Sequence, residues 1–281
     1  MRKKLALLLA GSMMAAMVLA GCGDKADVAK EDTAKTEASA ESKEGGKTFT
    51  VGFDAEYPPY GYMDENGEYT GFDLELAEAV CEMEGWELVK KPINWDSRDL
   101  ELNSGSIDCI WNGFTMNGRE DDYTFSTPYV DNSQVIVVAE ASGIEKLEDL
   151  AGKTVGVQAA SAALQLLQTS EKEGGQKELA DTFGSLNEFA DYNTAFTELQ
   201  AGALDALAID IGVANYQLKS RGEGYTILSE ELNTEQYAIA FKKGNEELRD
   251  IIDADLKKLT EDGTVAKLAE KYDIADMVTL K

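Results

Sequence analysis

TFTVGFDAEYPPYGYMDENGEYTGFDLELAEAVCEME, residues 48–84, contains the pattern that decides the fold. Its first six residues, 48–53, are strand-like, and residues 71–84 place Phe72, Leu76 and Val80 on one helical stripe. Residues 87–93 are strand-like again. Alternating strands and helices are typical of α/β proteins, so the sequence predicts mixed, mainly parallel sheets flanked by helices.

The same alternation continues through the rest of the chain. Two extended connectors, residues 129–137 and 233–237, are long enough to pass between two lobes. The predicted elements are a short helix ending at Gly105, strands at 107–111, 154–158, 206–209, 225–228 and 237–241, and helices at 161–169, 195–199, 213–218, 246–260 and 265–272.

Five motifs then make the chain similar to a known family: VGFDAEYPPY (51–60), GFDLELA (71–77), GFTMNGR (113–119), FSTPY (125–129) and GALDALAID (202–210). In this order they resemble the polar amino-acid-binding proteins of ABC importers, extracellular solute-binding protein family 3, over about residues 49–274. The resemblance implies a two-lobed periplasmic-binding-protein type II fold with two hinge crossings. Residues 47–130 and 236–281 would form lobe 1, and residues 131–235 would form lobe 2.

The resemblance also implies a function. The chain is expected to capture a free polar L-amino acid between its lobes and deliver it to the permease of an ABC importer. The ligand class stays open between glutamine, cystine and basic amino acids. A monomer that is not an enzyme and needs neither metal nor cofactor is expected. The alternatives are a ligand-sensing domain and a dehydratase-type enzyme on the same fold.

A free amino acid presents two charges that a binding site must compensate. Moving the carboxylate and the ammonium out of water is unfavourable unless charged partners in the protein replace the lost water. Arg119, in the loop after the 107–111 strand, matches the family's carboxylate-binding arginine. An arginine suits this role because its guanidinium donates two parallel hydrogen bonds to a carboxylate. Asp210, at the end of the 206–209 strand, matches the ammonium-binding aspartate. The alternatives are a surface Arg119 paired with Glu120, Asp121 or Asp122, and an Asp210 that only caps the next helix.

Other side chains complete the expected ligand contacts. Thr115 and the Gly113 backbone would surround the head group, with Ser161 and the Ala162 N–H at a helix start. Ser161 is equally suited to be only a helix N-cap. The side-chain pocket is assigned to Asp54, Tyr57 and Trp95, the alternative for each aromatic being ordinary core. Glu56, Tyr60 and Asn112 are lesser candidates.

The N-terminus predicts export and anchoring. Three basic residues precede an apolar run that ends in Leu19-Ala20-Gly21-Cys22, which looks like a bacterial lipobox. Residues 1–21 are therefore interpreted as a lipoprotein signal peptide and Cys22 as the lipidation site, the alternative being an ordinary signal peptide. Residues 22–46 are polar and small, typical of a flexible tether. The expected location is the outer face of the bacterial cytoplasmic membrane.

Composition excludes several function classes. The chain has 26 Lys and Arg against 53 Asp and Glu, a formal charge of −27, which disfavours nucleic acid as a partner. It contains no histidine, which removes the commonest general base and metal ligand. Cys81 and Cys109 are expected to be buried free thiols, with a disulfide as the alternative.

Overall fold

The computed structural model describes residues 46–281 of the 281-residue chain. The predicted signal peptide, Cys22 and all of the predicted tether except Gly46 lie outside these residues. No helix within the described part is long and apolar enough to cross a membrane.

Strands and helices alternate, as the sequence predicted. The strands are β1 (Thr48–Phe53), β2 (Glu56–Tyr57), β3 (Gly61–Met63), β4 (Tyr69–Thr70), β5 (Glu87–Pro92), β6 (Cys109–Ile110), β7 (Tyr123–Phe125), β8 (Val130–Ala139), β9 (Thr154–Gln158), β10 (Ser185–Phe189), β11 (Ala206–Asp210), β12 (Tyr225–Ile227), β13 (Asn233–Tyr237) and β14 (Ala240–Lys242). The helices are α1 (Phe72–Glu84), α2 (Arg98–Ser104), α3 (Ala162–Gln168), α4 (Lys177–Ala180), α5 (Tyr192–Gln200), α6 (Ile211–Arg221), α7 (Glu246–Glu261) and α8 (Thr264–Lys271).

The first sheet has the strand order β5–β1–β6–β14–β7. β1 pairs in parallel with β5 and β6, while β14 runs antiparallel to β6 and β7. The apolar stripe of α1 is buried. The helix ends at Gly85, which has a φ of 67°, a left-handed conformation that glycine adopts without strain. Helices α7 and α8 pack against α1. This sheet and its helices form the first lobe.

The second sheet has the order β10–β9–β11–β8–β12, and β13 also pairs with β8. β9 is parallel to β10 and β11, whereas β8 is antiparallel to β11, β12 and β13. A separate apolar cluster, with Val138, Val155 and Leu167 among its members, packs α3 on one face. This sheet and its helices form the second lobe.

The two predicted connectors are the hinge. They form β8 and β13, which pair with each other from Val130↔Tyr237 to Gln134↔Asn233. The predicted strand at 237–241 is divided: Tyr237 ends the pairing with β8, and Ala240 pairs with Ile110 in the first sheet. The sequence could not show this division because an apolar run continues while the chain changes lobe.

Mixed sheets flanked by helices are confirmed, with one refinement. Parallel pairing is limited to the strand triplets β5–β1–β6 and β10–β9–β11, and antiparallel pairings are at least as numerous in each sheet. The reason is that the long strand β8 and the returning strand β14 each add antiparallel neighbours. The small sheet β2–β3–β4 and strand β10 lacked a clear apolar pattern and were missed.

The largest core cluster extends from one lobe into the other. Tyr57 and Tyr60 of the first lobe belong to it together with Tyr192 of the second and Tyr237 of the hinge. Cys81 and Cys109 are buried free thiols, the preferred expectation. Burial raises the pKa of the Cys81 thiol to about 11, so this thiol is protonated at neutral pH.

Candidate functional site

Loops from both lobes meet at one small cavity. In the second lobe, β11 ends at Asp210 and β9 leads into Ser161 and α3. In the first lobe, the loop after β6 carries residues 113–119. Because the parallel strands β9 and β11 have their carboxyl ends at the same edge, both connections face this cavity. Its volume is about 20 Å³, and it is lined by Tyr57, Trp95, Gly113, Phe114, Thr115, Arg119, Gln158, Ser161, Ala162 and Asp210.

Eight of the nine residues that the sequence assigned to ligand binding line this cavity. Asp54 does not, although its Oδ2 accepts a hydrogen bond of 2.7 Å from Nε2 of Gln158, which does. The predicted residues in the lining are Tyr57, Trp95, Gly113, Thr115, Arg119, Ser161, Ala162 and Asp210.

Arg119 lies in the cavity wall with only neutral acceptors around it. Its side chain is 7% exposed, and Nη1 donates to the Thr115 carbonyl oxygen at 3.2 Å. Nε and Nη2 both donate to Oε1 of Gln165, at 3.3 and 3.1 Å. Within residues 46–281 Arg119 forms no ion pair, so the alternative pairing with its acidic sequence neighbours is not what the structure has. Burial, and then the Arg98 charge, lower its pKa.

Asp210 is the opposite case, because its carboxylate is surrounded by donors. Oδ1 accepts from Gln134 Nε2 at 2.5 Å, Tyr237 OH at 2.6 Å and Asn132 Nδ2 at 2.9 Å, and Oδ2 accepts from Tyr192 OH at 3.2 Å. Asp210 occupies the N-cap position of α6 but makes no capping hydrogen bond. The capping alternative therefore does not describe this side chain.

A second buried carboxylate, Glu235 on β13, lies beside Asp210. Its Oε1 accepts from Thr115 Oγ1 at 2.7 Å and from the Asn132 and Gln134 amides at 2.8 Å each. The same two amides therefore bridge both carboxylates. Burial and then the nearby Asp210 charge raise the pKa of Glu235. Glu235 therefore joins the loop after β6 to both hinge strands.

Aromatic rings form the remaining walls. Tyr57 is buried, and its hydroxyl lies 3.1 Å from the Tyr237 hydroxyl. The half-buried Trp95 ring meets the Phe114 ring edge-on at a centroid distance of 5.7 Å. The Phe114 ring also lies under the Arg119 guanidinium at 4.7 Å, a cation–π geometry.

Ser161 has the capping contact, since its Oγ accepts from the Leu164 N–H at 3.1 Å. It also lines the cavity, and a hydroxyl that accepts a capping hydrogen bond can still donate another one. The two roles that the sequence left open are compatible.

The lesser candidates lie behind the cavity wall. Asn112 Oδ1 accepts from the Asp54 backbone N–H at 2.5 Å, and the Glu56 carboxylate accepts from the Asn193 side chain. Burial is the main cause that raises the pKa of Asp54. Tyr60 packs against Gly212, where a Cβ would lie 2.3 Å from the Tyr60 hydroxyl.

Several residues around the cavity were missed by sequence reasoning. Phe114 is part of a motif that was recognised, and Gln158 was noted only as the end of a strand. The remaining ones, Asn132, Gln134, Gln165, Tyr192, Glu235 and Tyr237, lie on hinge strands and second-lobe helices without a local pattern that marks them.

The lobes contact each other around the cavity. Asp54 bonds Gln158 across the cleft, Glu56 bonds Asn193, and the Tyr57 and Tyr192 rings lie 6.0 Å apart. A cavity of about 20 Å³ is far below the ~300–1,000 Å³ of small-molecule pockets. A ligand of amino-acid size therefore requires the lobes to separate first.

Fold and cleft together define a two-lobed solute-binding protein. Residues 49–274 match the family model of bacterial extracellular solute-binding proteins, family 3, so the chain belongs to this family. The chain is 30% identical to the L-cystine-binding protein TcyJ of Escherichia coli (strain K12), covering 84% of this chain and 85% of that protein. It is 32% identical to the arginine-binding extracellular protein ArtP of Bacillus subtilis (strain 168), covering 85% and 91%.

Solved structures agree with this assignment. A substrate-binding protein of an ABC uptake transporter from Streptococcus pneumoniae with bound histidine has a TM-score of 0.77 and 33% identity, covering 83% of this chain and 94% of that one. An ancestral arginine-binding protein bound to glutamine has a TM-score of 0.72 and 37% identity, covering 81% and 98%.

Proposed function

We propose that this protein is an extracytoplasmic receptor that captures a free polar L-amino acid between its lobes and delivers it to the permease of an ABC importer. One observation carries the proposal: Arg119 from the first lobe and Asp210 from the second line the same cavity. These side chains suit the opposite ends of a zwitterion, and each charge-assisted contact replaces water that the ligand loses.

Closure of the lobes is the proposed mechanism. The first lobe, residues 47–130 and 236–281, supplies the guanidinium, and the second, residues 131–235, supplies the carboxylate. A ligand that touches both stabilises the closed form, because only that form compensates both charges. The pairing of β8 with β13 keeps the two crossings together while the lobes move.

The ligand class is proposed from the walls of the site. Tyr57 and Trp95 would flank the ligand stem, and Asp54 with Gln158 would contact a polar side chain. Relatives of this chain are named for cystine, arginine, histidine and glutamine. We propose the same range, glutamine, cystine or a basic amino acid, and binding without turnover.

Calorimetry of the full-length protein with the twenty amino acids, ornithine and cystine tests this proposal. We expect binding of one polar class, and chromatography of each bound amino acid after long incubation should recover it unchanged. A converted product would support the dehydratase-type enzyme, and no heat with any amino acid would contradict the receptor.

We also propose that Cys22 is lipidated after removal of residues 1–21, so that the protein is held at the outer face of the cytoplasmic membrane, and that it acts as a monomer. Mass spectrometry of the N-terminal peptide should show the added acyl mass. Cys22→Ser should appear in the soluble fraction, while Cys81→Ser should stay with the membrane. Membrane retention of Cys22→Ser would contradict the anchor.

A further inference from the structure

Arg119 is held across the cleft by one neutral side chain. Gln165 lies on α3 of the second lobe, and its Oε1 receives both Nε–H and Nη2–H of Arg119. This is the only side chain to which Arg119 donates within residues 46–281, since its third bond goes to the Thr115 carbonyl.

Gln165 occupies an edge of the guanidinium that offers two parallel N–H donors. Nε–H and Nη2–H point in parallel and form one of the two forks that bind a carboxylate with two hydrogen bonds. A neutral amide oxygen fits this fork but carries no charge, whereas a carboxylate offers two oxygens and a full negative charge and therefore binds it more strongly. A carboxylate that binds through this fork would therefore have to take the place of Gln165.

The surroundings of Arg119 favour such an exchange. The guanidinium is buried over the Phe114 ring, and the positive charge of Arg98 lowers its pKa further. The Glu235 and Asp210 charges act on Arg119 only as lesser causes, which raise its pKa, and neither forms an ion pair with it, so an incoming anion gains more here than at an exposed arginine.

There is also room for Gln165 to move. It lines a neighbouring pocket of about 330 Å³, which shares Thr115 and Ala162 with the small cavity. Gln165 is itself exposed at the rim of the cleft, so its side chain can rotate into this pocket without disturbing the core.

We propose that Gln165 is an internal substitute for the ligand's carboxylate: it occupies one fork of Arg119, joins the lobes through this contact, and is displaced when an amino acid binds through that fork. The proposal rests on the proposed function, because it assumes that the ligand presents a carboxylate to Arg119. Gln165 is thus a positioning residue that lowers affinity and stabilises the ligand-free closed form.

The expected change in ligand affinity follows from the two hydrogen bonds between Gln165 and Arg119. Two hydrogen bonds to a neutral oxygen contribute modestly once water competes, so their removal should tighten ligand binding by about three- to tenfold. Replacing the amide by a carboxylate should act in the opposite direction, since an ion pair with Arg119 is harder to displace. We expect at least about tenfold weaker binding for that change.

Three variants of the full-length protein test this, with calorimetry against the amino acid that the wild type binds. Gln165→Ala should bind it more tightly and Gln165→Glu more weakly. Gln168→Ala, an exposed glutamine on the same helix, should match the wild type. Equal or weaker binding by Gln165→Ala would overturn the proposal.

Small-angle X-ray scattering of the ligand-free variants gives a readout that does not depend on the ligand. Gln165→Ala should have a larger radius of gyration than the wild type, and Gln165→Glu should not. If no amino acid binds to any variant, the receptor function fails, but scattering still decides whether Gln165 holds the lobes closed. Identical radii of gyration for all variants would also overturn the proposal.

Discussion

The two ends of the cavity differ in how their charges are compensated. The Asp210 carboxylate accepts four hydrogen bonds from the protein, three of them to Oδ1. The Arg119 guanidinium has no anionic partner within residues 46–281 and donates to two neutral oxygens. One charge is thus surrounded by donors that include hinge residues, and the other has only neutral acceptors among these residues.

Because of this difference, substitutions at Arg119 and at Asp210 should affect ligand binding and protein stability to different extents. Removal of Arg119 takes away a proposed ligand contact and three hydrogen bonds to neutral oxygens, whereas removal of Asp210 leaves buried donors without an acceptor. A comparison of the two variants therefore tests whether the ends have the roles that their surroundings indicate.

The largest effect on binding is expected for Arg119→Ala. We expect about 100- to 1,000-fold weaker amino-acid binding by calorimetry, because the ligand carboxylate would be buried without its partner. The free energy of unfolding, measured with urea, should change by less than about 1 kcal/mol, since the loss of these hydrogen bonds is offset by removal of a buried charge that has no ion-pair partner in the described part of the chain. Arg249→Ala on α7 is the matched control and should bind normally. A strong loss of stability would show that Arg119 is mainly structural.

Asp210→Asn should weaken binding less, by about ten- to a hundredfold, because the ammonium keeps a neutral acceptor. It should also lower the free energy of unfolding by about 1–3 kcal/mol, since its new N–H₂ group faces the donors of Gln134, Asn132 and Tyr237. The exposed Asp276→Asn is the control for loss of one negative charge. Unchanged stability would contradict the view that Asp210 belongs to the hinge network.

The smallest effect on binding is expected for Asp73, which supports the site from behind. Its Oδ2 accepts from the Gly113 N–H at 2.6 Å and from Tyr129 OH at 2.8 Å, next to the start of β8. Complete burial raises the pKa of Asp73 from 3.8 to about 7. A raised pKa means that the folded form binds the Asp73 proton more tightly than the unfolded form does. Protonation of Asp73 therefore stabilises the fold fully below about pH 4, and this stabilisation is lost as the pH rises through 7.

Asp73→Asn removes this titration while one amide oxygen still accepts from Gly113 and Tyr129. The difference in unfolding free energy, variant minus wild type, should therefore increase from pH 4 to pH 7.5 by at most about 4 kcal/mol. Amino-acid affinity should change less than about threefold. Urea titrations between pH 4 and pH 7.5 measure the difference in unfolding free energy. A difference that does not vary with pH would show that Asp73 does not titrate in this range. Asp276→Asn again serves as the control.

The elements with a strong local pattern were predictable. β1, β9 and the α1 stripe follow from alternating or helical spacing of apolar residues, and the structure has them within a residue or two of the predicted ends. The hinge strands were predicted as two extended connectors between the lobes. Strand β10 was not, because its side chains are half-buried or exposed and show no period.

Around the cavity, the predicted residues could be assigned from the resemblance to the family, whereas most of the residues that contact them could not. Gln165 is 46 residues from Arg119, and Glu235 is 120 residues from Thr115, yet each pair is hydrogen-bonded. No spacing rule relates such pairs, because they meet only after the chain has crossed the hinge.

By itself, the sequence predicted most of the longer strands and helices, export of the chain, and two charged side chains as candidates for ligand binding. These depend on local spacing and on the chemistry of single residues, which a linear chain displays directly. Only the tertiary structure decided that Arg119 faces a neutral glutamine while Asp210 is enclosed by donors. Surroundings of this kind arise from pairing the two lobes, and they exist only when distant segments share one cleft.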